Sequence, residues 1–428
     1  MIKILAAAFL LVHIMVQVNG QSIIAYAPYY RTFPAETDFS LNTHVHFFAV
    51  WPDSSGALLW PGQHDSISFY QKYKLIQNKL QDDQPILITF GGTSSAGSKH
   101  FSQMAGNSAS LESFAQNAVS LCMEWGAQGI DIDWEWGQKL EAGEIEQSLA
   151  YEELMTRLRQ LCDEKDLLLS TAVSASAWFG DNYTVNGVDQ ADYINVMSYT
   201  YNGAWSSTAN HHAPLSKTES IGLSYWKNRG IAPAKLNPGV PFYGFKYEGA
   251  NLPGQSYTSI STLTYTEVKN HIALGYQLHV DTLNGSYCSS ASSIIFFDSQ
   301  EDLSTKVEHV KDMGYHGIFI WERGQDDAEQ TLSLSIYKSM ENLAPVSAKP
   351  RSIDQNFRVF FSPNTGIELF SRSEDHFSAH LYSLDGKLLA ASQHNHHRAV
   401  ISTDGITSGI YIVIIRSREK IFSKKITL

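Results

Sequence analysis

The chain is 428 residues long and has a formal net charge of −12, with 43% hydrophobic, 12% aromatic and 17% charged residues. This composition supports a sizeable buried core and excludes disorder along the whole chain. Residues 21–350 contain 36 acidic and 20 basic side chains, whereas residues 351–428 contain 10 basic and 7 acidic ones. Because residues 21–350 are so acidic, nucleic acid is excluded as a natural partner. An uncharged polymer is a better candidate ligand.

The N-terminus has the pattern of a secretory signal peptide covering residues 1–20. Lys3 precedes an apolar run over residues 4–18, and the small Gly20 comes directly before Gln21. The run is too short for an uncleaved membrane anchor. We therefore predict export and a secreted or cell-surface location.

Residues 21–344 alternate short apolar runs with segments of helical spacing. The eight predicted strands are Ile23–Tyr26, His44–Val50, Pro85–Phe90, Gly129–Glu135, Leu167–Val173, Tyr193–Tyr199, Leu236–Tyr243 and Gly317–Trp321. Eight such units predict an α/β fold, a (β/α)8 TIM barrel with its functional residues at the carboxyl ends of the strands. An open doubly wound sheet is the alternative, but no Gly-rich phosphate loop follows the first strand.

The fourth predicted strand carries carboxylates at alternate positions, namely Asp131, Asp133 and Glu135. In a strand these side chains point to one face, roughly 6 to 7 Å apart, so that their ionisations couple. A solvated edge strand would show the same alternation. Glu135 ends its strand, which is where a barrel carries its chemistry.

Residues 128–135 resemble the D-x-x-D-x-D-x-E signature of family 18 glycoside hydrolases, the chitinases and their relatives. Gln128 replaces the first Asp of that signature. Other strand ends resemble the same family in the same order. They are Thr89-Phe90-Gly91-Gly92 for S-x-G-G, Met197-Ser198-Tyr199 for M-x-Y, Gly239–Gly244 for the seventh strand and Ile318–Glu322 for the eighth. The resemblance spans about residues 23–343.

The resemblance implies a hydrolase that cleaves β-1,4 bonds between N-acetylglucosamine units in chitin or chitooligosaccharides without a cofactor. Glu135 is expected to protonate the leaving oxygen, its pKa raised by burial and by Asp133. The substrate's acetamido oxygen is expected to attack C1 with retention, while Asp133 orients the acetamido N–H and Tyr199 donates to the acetamido oxygen. Asp131 is expected to share a proton with Asp133.

Aromatic and glycine residues near strand ends are the predicted substrate-binding positions. They are Tyr26, Phe48, Gly91, Gly92, Trp136, Trp178, Met197, Trp205, Tyr243 and Trp321. Tight turns, core aromatics and loop anchors are their alternative roles. Thr200 stands where the family has Asp, so we expect affinity, transglycosylation or substrate choice to differ.

About 70 residues separate the seventh and eighth predicted strands. We expect no large insertion domain there, and hence a fairly open, endo-acting cleft.

Histidines and cysteines predict neither a metal site nor a disulfide framework. The histidines lack a helical i, i+4 pair and a Cys partner. Three cysteines leave at least one unpaired, and Cys122 with Cys162 either form a bridge or remain buried thiols.

The sequence pattern changes after residue 344, where two prolines mark a linker over residues 345–352. Short alternating runs then predict a small all-β sandwich over residues 353–428. Its order resembles the C-terminal sorting modules of the type IX secretion route of Gram-negative bacteria, which implies an outer-membrane secretion apparatus as a partner. A carbohydrate-binding module is the alternative, but this segment contains no Trp.

Three functions remain open for the whole chain. The first is the chitinase-like hydrolase, and the second is an endo-β-N-acetylglucosaminidase acting on N-glycan cores by the same acetamido mechanism. The third is a chitin-binding lectin without turnover, but lectins of this family lose the proton donor, and Glu135 is present.

Overall fold

The computed structural model describes residues 21–62, 64–82, 84–140, 145–342, 357–362, 366–371, 378–383, 387–395, 398–403, 405–407, 410–416 and 421–427. The predicted signal peptide and linker lie outside these residues. The chain divides into two compact units, Met1–Ala344 and Pro345–Leu428.

The first unit is built on eight parallel strands. They are Ser22–Pro28, His44–Pro52, Ile86–Gly92, Gly129–Trp134, Leu168–Ser174, Tyr193–Met197, Leu236–Pro241 and Gly317–Trp321. The strands pair in chain order, and the first also pairs with the eighth, which closes the ring. The predicted TIM barrel is confirmed, and its strand ends lie within two residues of those predicted.

Helices surround this barrel and cover its outer face. The α-helices of the first unit are Ser66–Gln77, Phe101–Ala105, Ser108–Trp125, Ile145–Lys165, Ala177–Gly180, Val185–Asp189, Leu215–Lys217, Ser224–Asn228, Tyr265–Ala273, Gln300–Asp312 and Thr331–Asn342. Helix Ser108–Trp125 begins where the Asn107 side chain accepts from two backbone N–H groups and ends at Gly126 in the left-handed conformation. Its apolar face packs on the outward side chains of the fourth strand in the largest core cluster.

A five-stranded antiparallel sheet is inserted between the seventh and eighth barrel strands. Its strands are Tyr243–Glu248, Ser259–Thr264, Gln277–His279, Tyr287–Ser289 and Ser293–Phe296, and helix Tyr265–Ala273 lies among them. The expectation that no large insertion domain exists is therefore wrong. The outer strands Ser259–Thr264 and Gln277–His279 are mostly exposed, so they lack the apolar alternation by which a strand is recognised.

In the second unit the described residues form two antiparallel sheets of four strands each. The strands of one are Phe357–Ser362, Gly366–Ser371, Gln393–Asn395 and Arg398–Ile401, and those of the other are Ser378–Tyr382, Leu388–Ala391, Ile410–Arg416 and Ile421–Thr427. Buried side chains from both sheets, among them Leu369 and Leu381, form one apolar cluster. The predicted β-sandwich is confirmed.

Cys122, Cys162 and Cys288 are buried free thiols, so the bridge between Cys122 and Cys162 is not formed. Burial raises the pKa of the Cys122 thiol well above its ordinary value. Within the described ranges no three His, Cys, Asp or Glu side chains are grouped so that they could hold a metal ion. None of the described helices is both long and apolar enough to cross a membrane.

Candidate active site

The alternation along strand Gly129–Trp134 divides its side chains between two environments. Ile130, Ile132 and Trp134 belong to the core cluster between barrel and helices. Asp131 and Asp133 are buried on the opposite face, inside the barrel. The edge-strand alternative is thus excluded, because this strand pairs on both sides.

Asp131 is surrounded by hydroxyl groups from the first, third and fifth strands of the barrel. Its Oδ2 accepts from the hydroxyls of Tyr26 (3.0 Å) and Thr89 (2.9 Å), and its Oδ1 accepts from that of Ser170 (2.6 Å). His46 Nδ1 lies 3.3 Å from Asp131 Oδ2. Burial acts to raise the pKa of Asp131, but His46 and the hydroxyl donors outweigh it and hold the pKa below its ordinary value.

Asp133 has the opposite environment. Its Oδ1 is buried and has no hydrogen-bond partner among the described residues. Burial, followed by the negative charges of Glu135 and Asp131, raises its pKa well above the ordinary value. The two pKa values are thus shifted in opposite directions, Asp131 downward and Asp133 upward, and the sharing of a proton between them stays a prediction.

Glu135 follows the end of the fourth strand and is partly exposed at the mouth of the barrel. Burial raises the pKa of its carboxyl group to about 7. Its backbone N–H donates to the hydroxyl of Ser98 (2.8 Å), which itself donates to the carbonyl of Gly92 (2.6 Å). Ser98, which the sequence did not single out, thus links the end of the third strand to the backbone of the proposed acid.

Gly91 and Gly92 are buried, Gly91 against the backbone of Asp133 and Gly92 against the ring of Phe48. Both have positive φ values, 119° and 108°. A Cβ on Gly91 would lie 2.1 Å from the carbonyl oxygen of Asp133, and one on Gly92 would lie 2.8 Å from the ring of Phe48. Their role in the structure is close packing, which corrects the substrate-binding prediction.

Tyr199 directs its ring over the interior of the barrel beside the acidic residues. It meets Phe319 edge to face at 5.9 Å between centroids and packs closely on Gly239. Burial, then Tyr243 and the charges of Asp133 and Glu135, raise the pKa of its hydroxyl well above the ordinary value. The hydroxyl therefore stays protonated and able to donate.

Trp321 ends the eighth strand and lies partly exposed above the aromatic residues of the barrel interior. Its ring meets those of Phe48 and Tyr26 edge to face, with 4.8 Å and 5.6 Å between the ring centroids. Tyr26 itself is 1% exposed, and its hydroxyl accepts from Asn195 (2.9 Å) as well as donating to Asp131. Tyr26 supports Asp131 and has no free face for a sugar, so its predicted role as a substrate contact is wrong.

Trp136 is the second corrected aromatic residue. It is 7% exposed, stacks on Trp134 at 4.7 Å and meets the ring of Tyr183 edge to face. It belongs to the same core cluster as Trp134, so its ring packs in the core and has no exposed face for a sugar.

The remaining predicted substrate-binding residues surround the mouth of the barrel. Trp178 and Trp205 follow the fifth and sixth strands and are 63% and 69% exposed. Met197 is partly buried among the aromatic residues of the barrel interior, and Tyr243 is buried beside Tyr199. Both tryptophans are exposed enough to stack on a sugar ring, with the Lys139 ammonium 6.0 Å from the Trp178 ring centroid and the Trp205 ring packed against Gly203.

Sequence reasoning missed the polar residues that line the barrel beneath the carboxylates. His46 Nε2 lies 2.9 Å from the hydroxyl of Tyr193, and the Asn237 amide donates to Asn195 (3.1 Å). The signal was available, because each of these polar residues interrupts an otherwise apolar predicted strand. Gln128, directly before the fourth strand, accepts from the backbone N–H of Ile86 on the third strand (3.0 Å).

Comparison with known proteins relates this arrangement to one family. The family model described as "Glycosyl hydrolases family 18" matches residues 22–326. The chain is 29% identical over 340 residues to a protein described as a probable endochitinase from Caenorhabditis elegans, covering 69% of this chain and 53% of that protein. It is 27% identical over 393 residues to Chitinase A1 from Niallia circulans, covering 80% and 56%. The chain thus spans a little over half the length of these two relatives.

Solved structures have the same fold. A mutant class V chitinase from Nicotiana tobaccum in complex with NAG4 superposes with a TM-score of 0.67 at 25% identity, covering 75% of this chain and 99% of that one. A GH18 chitinase from Cycas revoluta in complex with (GlcNAc)3 superposes with a TM-score of 0.66 at 22% identity, covering 74% and 99%.

Proposed function

Because this chain belongs to family 18 of the glycosyl hydrolases, and is therefore a glycoside hydrolase, we propose that it cleaves β-1,4 bonds between N-acetylglucosamine units in chitin or chitooligosaccharides. The observation that carries the proposal is the carboxyl group of Glu135 at the mouth of the barrel, whose pKa burial raises to about 7, so that a large fraction of it is protonated near neutral pH. A glycosidic oxygen needs such a proton in order to leave.

The second requirement is a group that stabilises the positive charge developing at C1. Asp133 is buried next to Glu135, and its Oδ1 has no partner among the described residues. We propose that this oxygen accepts the N–H of the substrate's acetamido group, so that the acetamido oxygen attacks C1. Tyr199, which stays protonated, donates to that oxygen.

Asp131 acts through Asp133 in this scheme. Its hydroxyl donors and His46 keep it ionised. After burial and the charge of Glu135, its negative charge also raises the pKa of Asp133. Water then opens the cyclic intermediate with Glu135 as base, so the anomeric configuration is retained.

Product analysis tests the substrate and the mechanism together. The purified chain should release chitobiose and chitotriose from chitooligosaccharides, and proton NMR should show the β anomer first. Cellulose oligomers, which lack the acetamido group, should not be cleaved. An initial α signal or rapid cleavage of cellulose oligomers would overturn internal attack, and exclusive cleavage of a high-mannose glycoprotein would overturn the chitin assignment.

We also propose that the chain is exported, and that its β-sandwich is a sorting domain read by the type IX route. The signal-like pattern of residues 1–20 and the basic balance of residues 351–428 support this proposal. In a Gram-negative host with that route, the mature chain should begin at Gln21 and appear outside the cell. Removal of residues 345–428 should retain it in the periplasm, and unchanged export of the shortened chain would contradict the sorting role.

A further inference from the structure

Thr200 has an unusual backbone conformation directly beside Tyr199. Its φ is +59°, in the left-handed region, where a β-branched residue is rare and unfavourable. The backbone on either side is held in place, because the N–H of Tyr201 donates to the carbonyl of His212 (2.8 Å). The Ser198 hydroxyl likewise donates to the carbonyl of Gly239 (3.0 Å).

The Thr200 hydroxyl lies 2.5 Å from the hydroxyl of Tyr243. The Tyr243 ring packs between two other rings. Its centroid lies 4.9 Å from that of His212 and 5.4 Å from that of Phe245. It is buried at the start of the inserted sheet. The bond therefore ties the end of the sixth barrel strand to the inserted sheet.

Tyr199 is confined by the same groups. Its ring meets that of Tyr243 at 6.3 Å and 80° on one side and that of Phe319 on another. A Cβ on Gly239 would lie 2.6 Å from the Tyr199 ring, so the ring is tightly packed from below. The Tyr199 ring is thus bounded by Tyr243, Phe319 and Gly239.

We propose that Thr200 and Tyr243 form a positioning pair that holds the Tyr199 hydroxyl in the direction needed to stabilise the transition state. The proposal rests on the proposed function and names two positioning residues for it. A neutral hydroxyl pair performs this task at the place where the family pattern has Asp. Thr200 thus acts through Tyr199 and not through a charge offered to the sugar.

Hydroxyl removal tests the pair. Thr200→Val keeps the shape and backbone preference of Thr, and Tyr243→Phe keeps the ring, so each removes only the bond. Each should lower kcat on chitotriose by about tenfold with KM within about twofold, because the misdirected donor matters in the transition state. The double variant should be no slower than either single variant, and Thr200→Ser should recover most of the lost kcat. Tyr337→Phe, which removes a hydroxyl that donates to Glu341 at a half-buried helix position, is the matched control.

Unchanged kcat in both single variants would overturn the proposal, as would a rise in KM with kcat unchanged, which indicates a direct substrate contact. Crystal structures of the unliganded wild type and Thr200→Val provide a readout independent of turnover. The Tyr199 ring should turn or become disordered in the variant, and an unchanged ring would overturn the pair. A wild type that fails to cleave chitotriose would refute the proposed function. The orientation of the Tyr199 ring in the two crystal structures would still test whether Thr200 and Tyr243 position it.

Discussion

Asp131 and Asp133 have the same side chain and face the same way, but the barrel shifts their pKa values in opposite directions. Three hydroxyls donate to Asp131, whereas Oδ1 of Asp133 has no partner among the described residues. Burial alone would raise both pKa values, and the hydrogen bonds and His46 reverse the result at Asp131 only. Identity and spacing predicted three coupled carboxylates, but the location of the proton depended on partners from other strands.

Glu135→Gln tests the proton donor directly. The amide cannot protonate the leaving oxygen, so kcat should fall roughly a thousandfold with little change in binding of a chitooligosaccharide. Steady-state kinetics and calorimetric titration measure the two effects. Glu124→Gln, a change of the same chemistry at an exposed helix position, is the control. Rates close to wild type in Glu135→Gln would refute the assignment.

The pH dependence follows from the raised pKa of Glu135. The free enzyme is active with Glu135 protonated, so kcat/KM should be level on the acid side and fall as pH rises through about 7. Above that value the fall should approach tenfold for each pH unit. Initial rates between pH 5 and 9 measure it, with thermal melts over the same range to exclude unfolding. A rate that rises through pH 7 would contradict a protonated donor.

At the scale of elements, the ends of the third and fourth strands form one unit around the acidic residues. Gly91 leaves room for the Asp133 carbonyl, and Ser98 connects Gly92 to the backbone of Glu135. The sequence showed a glycine pair after a strand, which is typical of a tight turn. That a side chain there would collide with the backbone of the catalytic strand became evident only from the pairing of Gly91 with Asp133.

Gly91→Ala separates this close approach from backbone strain. A Cβ at Gly91 would meet the Asp133 carbonyl at 2.1 Å, whereas one at Gly230, with a similar φ of +104°, meets nothing within 4 Å. Both substitutions force Ala into the left-handed region, but only the first also displaces the fourth strand. Gly91→Ala should lower the free energy of unfolding by about 2 kcal/mol more than Gly230→Ala in urea denaturation. Equal losses would show that strain alone matters.

At the scale of the whole molecule, the chain has two compact units with separate apolar cores. The barrel was predictable because eight apolar runs with helical segments between them leave few alternatives. The inserted sheet was not predictable from the sequence, because its outer strands are largely exposed and show little alternation of apolar and polar residues. The expectation of an open cleft rested on the absence of that domain and loses its basis.

Separate cores predict two thermal transitions in the full chain. Leu158→Ala removes a fully buried side chain from the barrel unit, and Leu381→Ala removes one from the sandwich. Each should destabilise its own unit by about 2 to 5 kcal/mol and leave the other transition unchanged. Differential scanning calorimetry of the two variants and the wild type measures this. A single transition that shifts in both variants would show that the units unfold together.

The sequence by itself determined the strand and helix periods, the family motifs and the three alternating carboxylates, because these depend on neighbours along the chain. The tertiary structure decided which aromatic residues face a ligand, which carboxylate keeps its charge and which glycines are indispensable. Tyr26, Trp136 and Gly91 show the reason, because their surroundings come from residues distant in the chain. Burial, electrostatics and close approach depend on distances in space, which sequence spacing alone does not define.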